Sequence, residues 1–426
     1  MRRPVMVVVL VATLVLVSTG PATSQVPLEL WLMPFVDSPE RAMAPLIKQF
    51  EAETGTKVNI SVVPYGVALE RLQTAIAGGR APDVTYLTDG RYVPLIEFGG
   101  ALQPIDGYIT AELRRRFVDP ALLDGYKWEG RSYVVPFGFV TYLWAINRPV
   151  LERAGVYRAL SPRLKDLSKT WTWEDLLQIC RAITRDTDGD GRVDQWCYAY
   201  PGGSTWLHPF LLWLWAAGGN LFTAEGRPGL DSPAAVTALR FLVQLKSEGF
   251  MPPGAENMSP PEAIDAFATG RTGIINNVWP ANGLFVWPKS YPRLQYELVY
   301  PPVGPAGKRT TYFGAALLGM LRQSRSKDAA WKLIEFFTSR PVQAWLSETG
   351  FFPVSGELTT KMREHPAVPM YYEAMKFSVP EPRHPKTGAA MSVVNAEVQA
   401  VMTGRKSPEA AARDMQARIL REALGR

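Results

Sequence analysis

Between residues 43 and 87 the spacing of apolar residues changes from helical to strand-like and back. A first helical stripe consists of Met43, Leu46, Ile47 and Phe50. Gly55 ends this helix, where a left-handed residue is favoured. The pattern then predicts a strand over Lys57–Val63, a helix with Leu69, Leu72 and Ile76 on one face, and a strand over Val84–Leu87. Strands joined through helices form parallel sheets with right-handed crossovers, so the sequence predicts an α/β fold.

Ligands of such sheets bind beyond the carboxyl ends of the strands. The loops at these ends contain Asp37, Tyr65 and the segment Thr88–Tyr92. We therefore expect these residues near a binding site.

Residues 1–24 have the pattern of a cleaved signal peptide. Arg2 and Arg3 precede the apolar run Val5–Val17, and the small residues Ala22-Thr23-Ser24 follow it. The alternative, a membrane anchor, needs about 20 apolar residues, which is more than this run offers. No cysteine stands directly after the run, so a lipoprotein anchor is not indicated. We expect the mature protein to be free in the periplasm.

The composition is that of a folded protein, and the motifs of the chain indicate no reaction centre. Hydrophobic residues make up 47% of the chain and charged residues 20%. The one dense basic run, Arg114-Arg115-Arg116, lacks interleaved aromatics, so nucleic-acid binding is not expected. The three histidines are isolated, and no metalloprotease, nucleophile-elbow or phosphate-loop motif is present. A glycosidase needs only a pair of carboxylates, so a secreted glycan-active enzyme stays open.

Cys180 and Cys197 are the only cysteines. An even count in an exported chain favours a disulfide between them. Cys180 lies late in a helix predicted over Trp173–Ile183, and Cys197 begins the next predicted strand, so contact is plausible. The alternative is two small buried hydrophobic side chains.

The segment between these cysteines resembles a calcium loop. Asp186, Asp188, Asp190 and Asp194 occupy positions 1, 3, 5 and 9 of such a loop, with Gly191 at position 6 and Arg192 at position 7. Position 12 is Cys197, so the usual bidentate glutamate is missing. The alternative is an Asp-rich turn without an ion. Any calcium would be structural, and no other cofactor is expected.

Several segments of the chain resemble, in order and spacing, the extracellular solute-binding proteins of ABC importers. The likeness is to the family 1 carbohydrate binders related to maltose-binding protein. The matching segments are 50–106, 134–156, 170–184, 186–196, 230–250, 267–280 and 326–354.

This resemblance implies a type II periplasmic-binding-protein fold with two interleaved α/β lobes. Lobe one would comprise residues 25–137 and 314–352, and lobe two residues 138–313 and 353–426. Gly138 and Gly314 would serve as hinges, because glycine tolerates large changes in φ and ψ.

The resemblance also indicates a sugar site between the lobes. Trp279 stands where the family carries its stacking tryptophan, and aromatic plates suit the apolar faces of sugar rings. Family members place ligands of sugar hydroxyls at Thr88, Asp89, Arg91 and Tyr92. Further candidates beside the hinges, in a glycine-rich loop and near the carboxyl terminus are Phe139, Thr141, Tyr142, Trp206, Tyr312, Gly314 and Arg383.

We therefore expect a monomeric, non-enzymatic binding protein that delivers a carbohydrate to ABC permease subunits in the inner membrane. A binder of glycerol-phosphate or another anionic polyol is the alternative within the same class, because Arg91 and Arg383 could hold an anion. A secreted glycan-active enzyme and a chemosensory binding protein are the alternatives from other classes.

Overall fold

The computed structural model describes residues 26–203 and 208–425. The predicted signal peptide lies outside the described residues. Within the described ranges, no helix is both long enough and apolar enough to cross a membrane.

The strands form two sheets. They are β1 (Leu28–Leu32), β2 (Val58–Val62), β3 (Val84–Leu87), β4 (Val134–Thr141), β5 (Leu143–Asn147), β6 (Trp196–Ala199), β7 (Thr272–Val278), β8 (Tyr296–Val299), β9 (Thr311–Met320), β10 (Phe352–Pro353) and β11 (Ser378–Pro380). The first sheet is seven-stranded, in the order β10-β4-β9-β3-β1-β2 with β11 beside β9. The second is four-stranded, in the order β6-β7-β5-β8.

Helices connect and cover these sheets. Those of the amino-terminal half are α1 (Pro39–Ala42), α2 (Ala44–Thr54), α3 (Ala68–Ala77), α4 (Asp89–Glu97), α5 (Ala111–Arg115), α6 (Ala121–Asp124), α7 (Arg148–Arg153), α8 (Tyr157–Leu164), α9 (Trp173–Ile183) and α10 (His208–Ala216). The remainder are α11 (Pro233–Ser247), α12 (Pro260–Ala268), α13 (Trp287–Ser290), α14 (Lys327–Phe337), α15 (Arg340–Glu348), α16 (Thr360–Arg363), α17 (Val368–Met375), α18 (Thr387–Met402) and α19 (Pro408–Arg418).

The predicted parallel unit is present at one end of the first sheet. Strand β1 pairs in parallel with β2 and with β3. Helix α2 ends at Gly55, whose φ of 70° is left-handed. Helix α2 buries its predicted apolar stripe, and α3 buries Leu72 and Ile76 of its stripe, whereas Leu69 is half-buried. The local pattern of hydrophobic residues therefore specified this unit correctly.

The chain passes from the first sheet to the second at Tyr142. Strand β4 pairs with β9 as far as Thr141, and β5 in the second sheet begins at Leu143. Gly138 and Gly314, the predicted hinges, lie within the paired strands β4 and β9 rather than at this crossing point. A Cβ added at Gly138 would meet Leu346 at 2.6 Å, so this glycine permits close packing inside the sheet.

The carboxyl-terminal segment touches both sheets. Strand β11 pairs with β9 of the first sheet, although the sequence assigned residues 353–426 to lobe two. Helix α18 then packs against α11 and α19 and also contacts α4. Residues 378–387 therefore form a further connection between the two halves.

Many of the aromatic residues belong to the core of the second half. The ring of Trp213 lies 5.5 Å from Trp144 and 5.2 Å from Trp173, and all three side chains are buried. The aromatic content of the chain therefore reflects packing as well as any site.

The predicted disulfide is present. Cys180 of α9 and Cys197 of β6 are bonded, with their Cα atoms 4.8 Å apart. Helix α9 has the predicted bounds, and the side chain of Thr172 caps it by accepting a hydrogen bond from the Asp175 backbone N–H.

Candidate functional site

A cavity of about 210 Å³ lies between the two sheets, and we call it the central cavity. Aromatic side chains dominate its lining, which consists of Pro34, Phe35, Tyr65, Tyr86, Thr88, Val140, Tyr142, Trp279, Tyr312, Gly314, Ala315 and Phe351. No charged side chain belongs to this set of described residues. The cavity can therefore enclose a flat, neutral molecule between aromatic faces.

Trp279 occupies the position that the sequence predicted. It follows β7 in the second sheet, is half-buried, and lines the central cavity. It also lines a second space beyond this cavity. A half-buried indole at such a junction can stack on a sugar ring.

The tyrosines of the central cavity are neutral hydrogen-bonding groups. Burial raises the pKa of Tyr65 to about 12, and a hydrogen bond with Tyr86 and the charge of Arg91 oppose this shift. Burial also raises the pKa of Tyr86, Tyr142 and Tyr312. Their hydroxyl groups therefore stay protonated at physiological pH and can donate as well as accept.

The second space, of about 180 Å³, adjoins the central cavity at Tyr142 and Trp279. We call it the asparagine compartment, because its polar side chains besides Tyr142 and Trp279 are Asn276, Asn277 and Asn282. The rest of its lining is Pro201, Pro209, Pro260, Ala263, Ile264 and Ile275. These asparagines were not among the site residues predicted from the sequence. The sequence feature that could have indicated them is a pair of polar residues inside the otherwise apolar strand segment Ile274–Trp279.

A third space, of about 260 Å³, lies between α3, α4 and α18 and shares Tyr65 with the central cavity. Its polar lining includes Arg91, Glu381 and Asn395. Arg91 donates to Thr88 Oγ1 at 2.6 Å and to the Tyr65 carbonyl at 3.2 Å. The structure therefore places Arg91 and Thr88 at the site, with the guanidinium held by its neighbours.

Asp89 lies elsewhere, inside a buried ion pair. Its side chain has no exposed surface; Arg383 donates to Oδ1 at 3.1 Å and the Ala315 N–H donates to Oδ2 at 2.9 Å. Arg383 also donates to the Gly125 carbonyl, and its guanidinium lies over the ring of Tyr126. Neither Asp89 nor Arg383 lines the cavities. Their predicted contact with ligand is corrected to a structural contact, because each satisfies the other's charge.

Four other predicted residues lie outside the cavities. Tyr92 is buried against Tyr126, with ring centroids 6.2 Å apart. Phe139 packs on Phe313 at 5.3 Å, and Thr141 donates to the Tyr312 carbonyl at 2.8 Å.

Asp37 is the fourth of these residues and is exposed in the loop after β1. Trp206 lies outside the described residues. Of the predicted set, Tyr65, Thr88, Arg91, Tyr142, Trp279, Tyr312 and Gly314 come together at the cleft.

The part of the chain that matches a known protein family includes strands of both sheets. Residues 36–344 match the family described as bacterial extracellular solute-binding protein. This chain is a member of that family. The family comprises binding proteins rather than enzymes, and its extracellular location implies that this solute-binding protein is exported.

Individual relatives agree with this assignment. A maltotriose-binding protein of Pyrococcus abyssi is 23% identical over 366 residues, which cover 83% of this chain and 73% of the relative. A diacetylchitobiose-binding protein of Streptomyces coelicolor is 23% identical over 402 residues, which cover 91% and 88%.

A solved structure shows the fold of this solute-binding protein. The ABC substrate-binding protein of Listeria monocytogenes in complex with cycloalternan superposes with a TM-score of 0.77 at 20% identity, covering 94% of this chain and 99% of that one. The fold is that of the type II periplasmic binding proteins, as predicted.

The acidic loop of this solute-binding protein is folded by its own carboxylates. Asp186 accepts hydrogen bonds from the backbone N–H groups of Asp188, Gly189 and Gly191. Asp190 accepts one from the Arg192 N–H, and Asp194 accepts two from Thr187.

Oxygen atoms of Asp186, Asp188 and Asp194 lie within 4.8 Å of one another, whereas Asp190 is not part of this group. These hydrogen bonds account for the turn without an ion. Calcium binding here stays a prediction.

Proposed function

We propose that this protein is the substrate-binding component of an ABC importer and captures a carbohydrate between its two halves. The observation that carries the proposal is the lining of the central cavity. Trp279 and Tyr142 face it from the side of the second sheet, and Phe35, Tyr86 and Phe351 from the side of the first. Sugar rings offer apolar C–H faces to such plates and hydroxyl groups to the tyrosines and Thr88.

The names of the relatives support a sugar. The two relatives described above are named for maltotriose and diacetylchitobiose, and the Listeria structure contains cycloalternan. All three are carbohydrates, although they differ in linkage and substitution.

The distribution of charge favours a neutral sugar over an anionic polyol. Arg91 lines the third space rather than the central cavity, and Arg383 is paired with Asp89. The central cavity has no charged lining among the described residues. A phosphate placed there would lose its hydration without gaining a cationic partner.

In the proposed cycle the periplasmic protein closes on its ligand and then docks on two permease subunits as a monomer. Closure requires ligand contacts in both halves, because a ligand that touches one half alone does not shift the open–closed equilibrium. Capture of this kind needs no cofactor and no nucleic acid.

A thermal-shift screen of the mature protein against neutral mono- and oligosaccharides and glycerol 3-phosphate tests the proposal. We expect at least one neutral saccharide to raise the melting temperature in a concentration-dependent way, because a ligand stabilises the state that it binds. Calorimetry then gives the affinity.

A shift with glycerol 3-phosphate alone would replace the proposal by the anionic-polyol alternative. Cleavage of the bound saccharide, followed by chromatography, would replace it by the enzymatic one. A neighbouring permease gene pair distinguishes transport from a purely sensory role.

A further inference from the structure

Strand β7 is distorted where it reaches the cleft. Ile275 pairs with Ala145 and Val278 pairs with Leu143, so β7 carries one more residue than β5 over this interval. This is a β-bulge, and the extra length falls at Asn276 and Asn277. Asn277 has a φ of 59°, one of three left-handed non-glycine residues among those described. Asparagine tolerates that conformation better than most residues.

The two asparagines of the bulge line the asparagine compartment. Asn276 is only 2% exposed, yet neither its Oδ1 nor its Nδ2 has a hydrogen-bond partner among the described residues. Asn277 Oδ1 is also buried, and no partner for it occurs in the part of the chain that the structure describes. Buried amides normally find partners inside the protein, and leaving one unpaired costs about 1–3 kcal/mol. These groups are therefore arranged to bind something that enters the compartment.

Apart from the asparagines, Tyr142 and Trp279, the described walls of this compartment are apolar. Three prolines, Pro201, Pro209 and Pro260, face them together with Ile264 and Ile275. The lining that the structure describes includes no charged side chain. A sugar ring with a full set of hydroxyl groups would leave several of them unpaired against such walls.

From this chemistry we propose that the asparagine compartment receives the acetamido group of an N-acetylated amino sugar whose ring stacks on Trp279. An acetamido group has one N–H donor, one carbonyl acceptor and one methyl group. Asn276 and Asn277 supply the complementary acceptors and donor, and the prolines and Ile264 cover the methyl group. The proposal rests on the proposed function, since it specifies the class of carbohydrate that the cleft takes.

Two disaccharides test this inference by calorimetry. Diacetylchitobiose and cellobiose share the β-1,4 linkage and differ at C2, which carries acetamido groups in the first and hydroxyl groups in the second. We expect wild-type protein to bind diacetylchitobiose about tenfold or more tightly than cellobiose, a difference of at least ~1.4 kcal/mol.

Asn276→Ala and Asn277→Gly should abolish most of that preference and leave cellobiose binding nearly unchanged. Glycine at position 277 keeps the left-handed backbone without strain. Asn276→Ala should not lower the melting temperature of the ligand-free protein, because its amide has no partner to lose within the described ranges. Asn59→Ala, at an exposed site where the amide donates to Glu29, is the matched control and should keep the full preference.

Each outcome decides the inference. Cellobiose or maltotriose binding as tightly as diacetylchitobiose, or equal losses for both disaccharides in the asparagine variants, would overturn it and leave carbohydrate binding intact. Lack of diacetylchitobiose binding would also overturn it. If another saccharide from the thermal-shift screen then bound, the proposed carbohydrate-binding function would stand. If no saccharide bound, the proposed function would be contradicted too.

Discussion

The indole of Trp279 stands edge-on to the phenyl ring of Phe351, with ring centroids 5.9 Å apart and ring planes at 83°. Trp279 follows β7 of the second sheet, and Phe351 precedes β10 of the first. The two halves thus meet through these rings across the cleft. A ligand stacked on the indole would be held where the halves approach each other.

Trp279→Ala should weaken sugar binding without unfolding the protein. The indole is half-buried and lines both the central cavity and the asparagine compartment, so its loss removes contact area from the ligand more than from the core. We expect a loss of about 1–3 kcal/mol in binding free energy by calorimetry. Trp128→Ala, another half-buried tryptophan outside the cavities, is the control. Equal affinity in the two variants would contradict the role of Trp279.

Gly314→Ala should deform the central cavity. A Cβ at this position would lie 2.6 Å from Cε1 of Tyr312, a buried ring of the cavity wall. Relieving this overlap costs about 1–3 kcal/mol and displaces the ring, so sugar affinity should fall. Gly107→Ala meets nothing within 4 Å and should keep wild-type affinity and stability. Wild-type affinity in Gly314→Ala would show that Tyr312 does not shape the site.

The Asp89–Arg383 pair should give a distinct pH dependence of stability. Burial raises the pKa of Asp89 from 3.8 to about 6, while Arg383 and the Ala315 N–H oppose this shift. At a pH between these two pKa values, the Asp89 carboxyl group is largely protonated in the folded protein and largely ionised in the unfolded chain. The stability that Asp89 contributes therefore decreases as pH rises from about 4 to about 6.

Denaturant unfolding of wild-type protein and Asp89→Asn across this range measures that contribution. The difference in unfolding free energy isolates Asp89, because the other carboxyl groups titrate in both proteins. Wild type should lose stability relative to the variant as pH rises. A difference that stays constant or changes in the opposite direction would contradict the assignment.

Local sequence patterns specified the parallel unit and helix α9, because each depends on neighbours within a few turns of chain, whereas the expectation for Trp279 came from the family resemblance. The environment of Asp89 could not be predicted in this way. Its partner Arg383 lies 294 positions further on, and only the folded chain brings β11 and α18 to the start of α4.

Phe35 and Phe351 could not be predicted for the same reason, because they belong to distant segments that become neighbours only in the folded chain. Their ring centroids lie 5.8 Å apart. Asn276 and Asn277 stand out in the sequence, because a polar pair interrupts an apolar strand. The bulge in which they lie arises from the pairing of β7 with β5 and could not be predicted locally.

Removal of the disulfide should lower stability and leave sugar binding intact. Cys180 and Cys197 are separated by 17 positions and do not line the cavities described. Closing a loop of this length stabilises a protein by about 3 kcal/mol. The Cys180→Ala/Cys197→Ala variant should therefore melt earlier than wild type and should not respond to reducing agent. An unchanged melting temperature would contradict a stabilising bridge.

The central claim is that a sugar is enclosed between two halves that close upon it. Small-angle X-ray scattering of the mature protein, with and without a saturating saccharide from the thermal-shift screen, tests it most directly. Rotation about the β4–β5 and β8–β9 connections should reduce the radius of gyration when the sugar binds. An identical radius of gyration in the two states, with calorimetry confirming saturation, would contradict closure around the ligand.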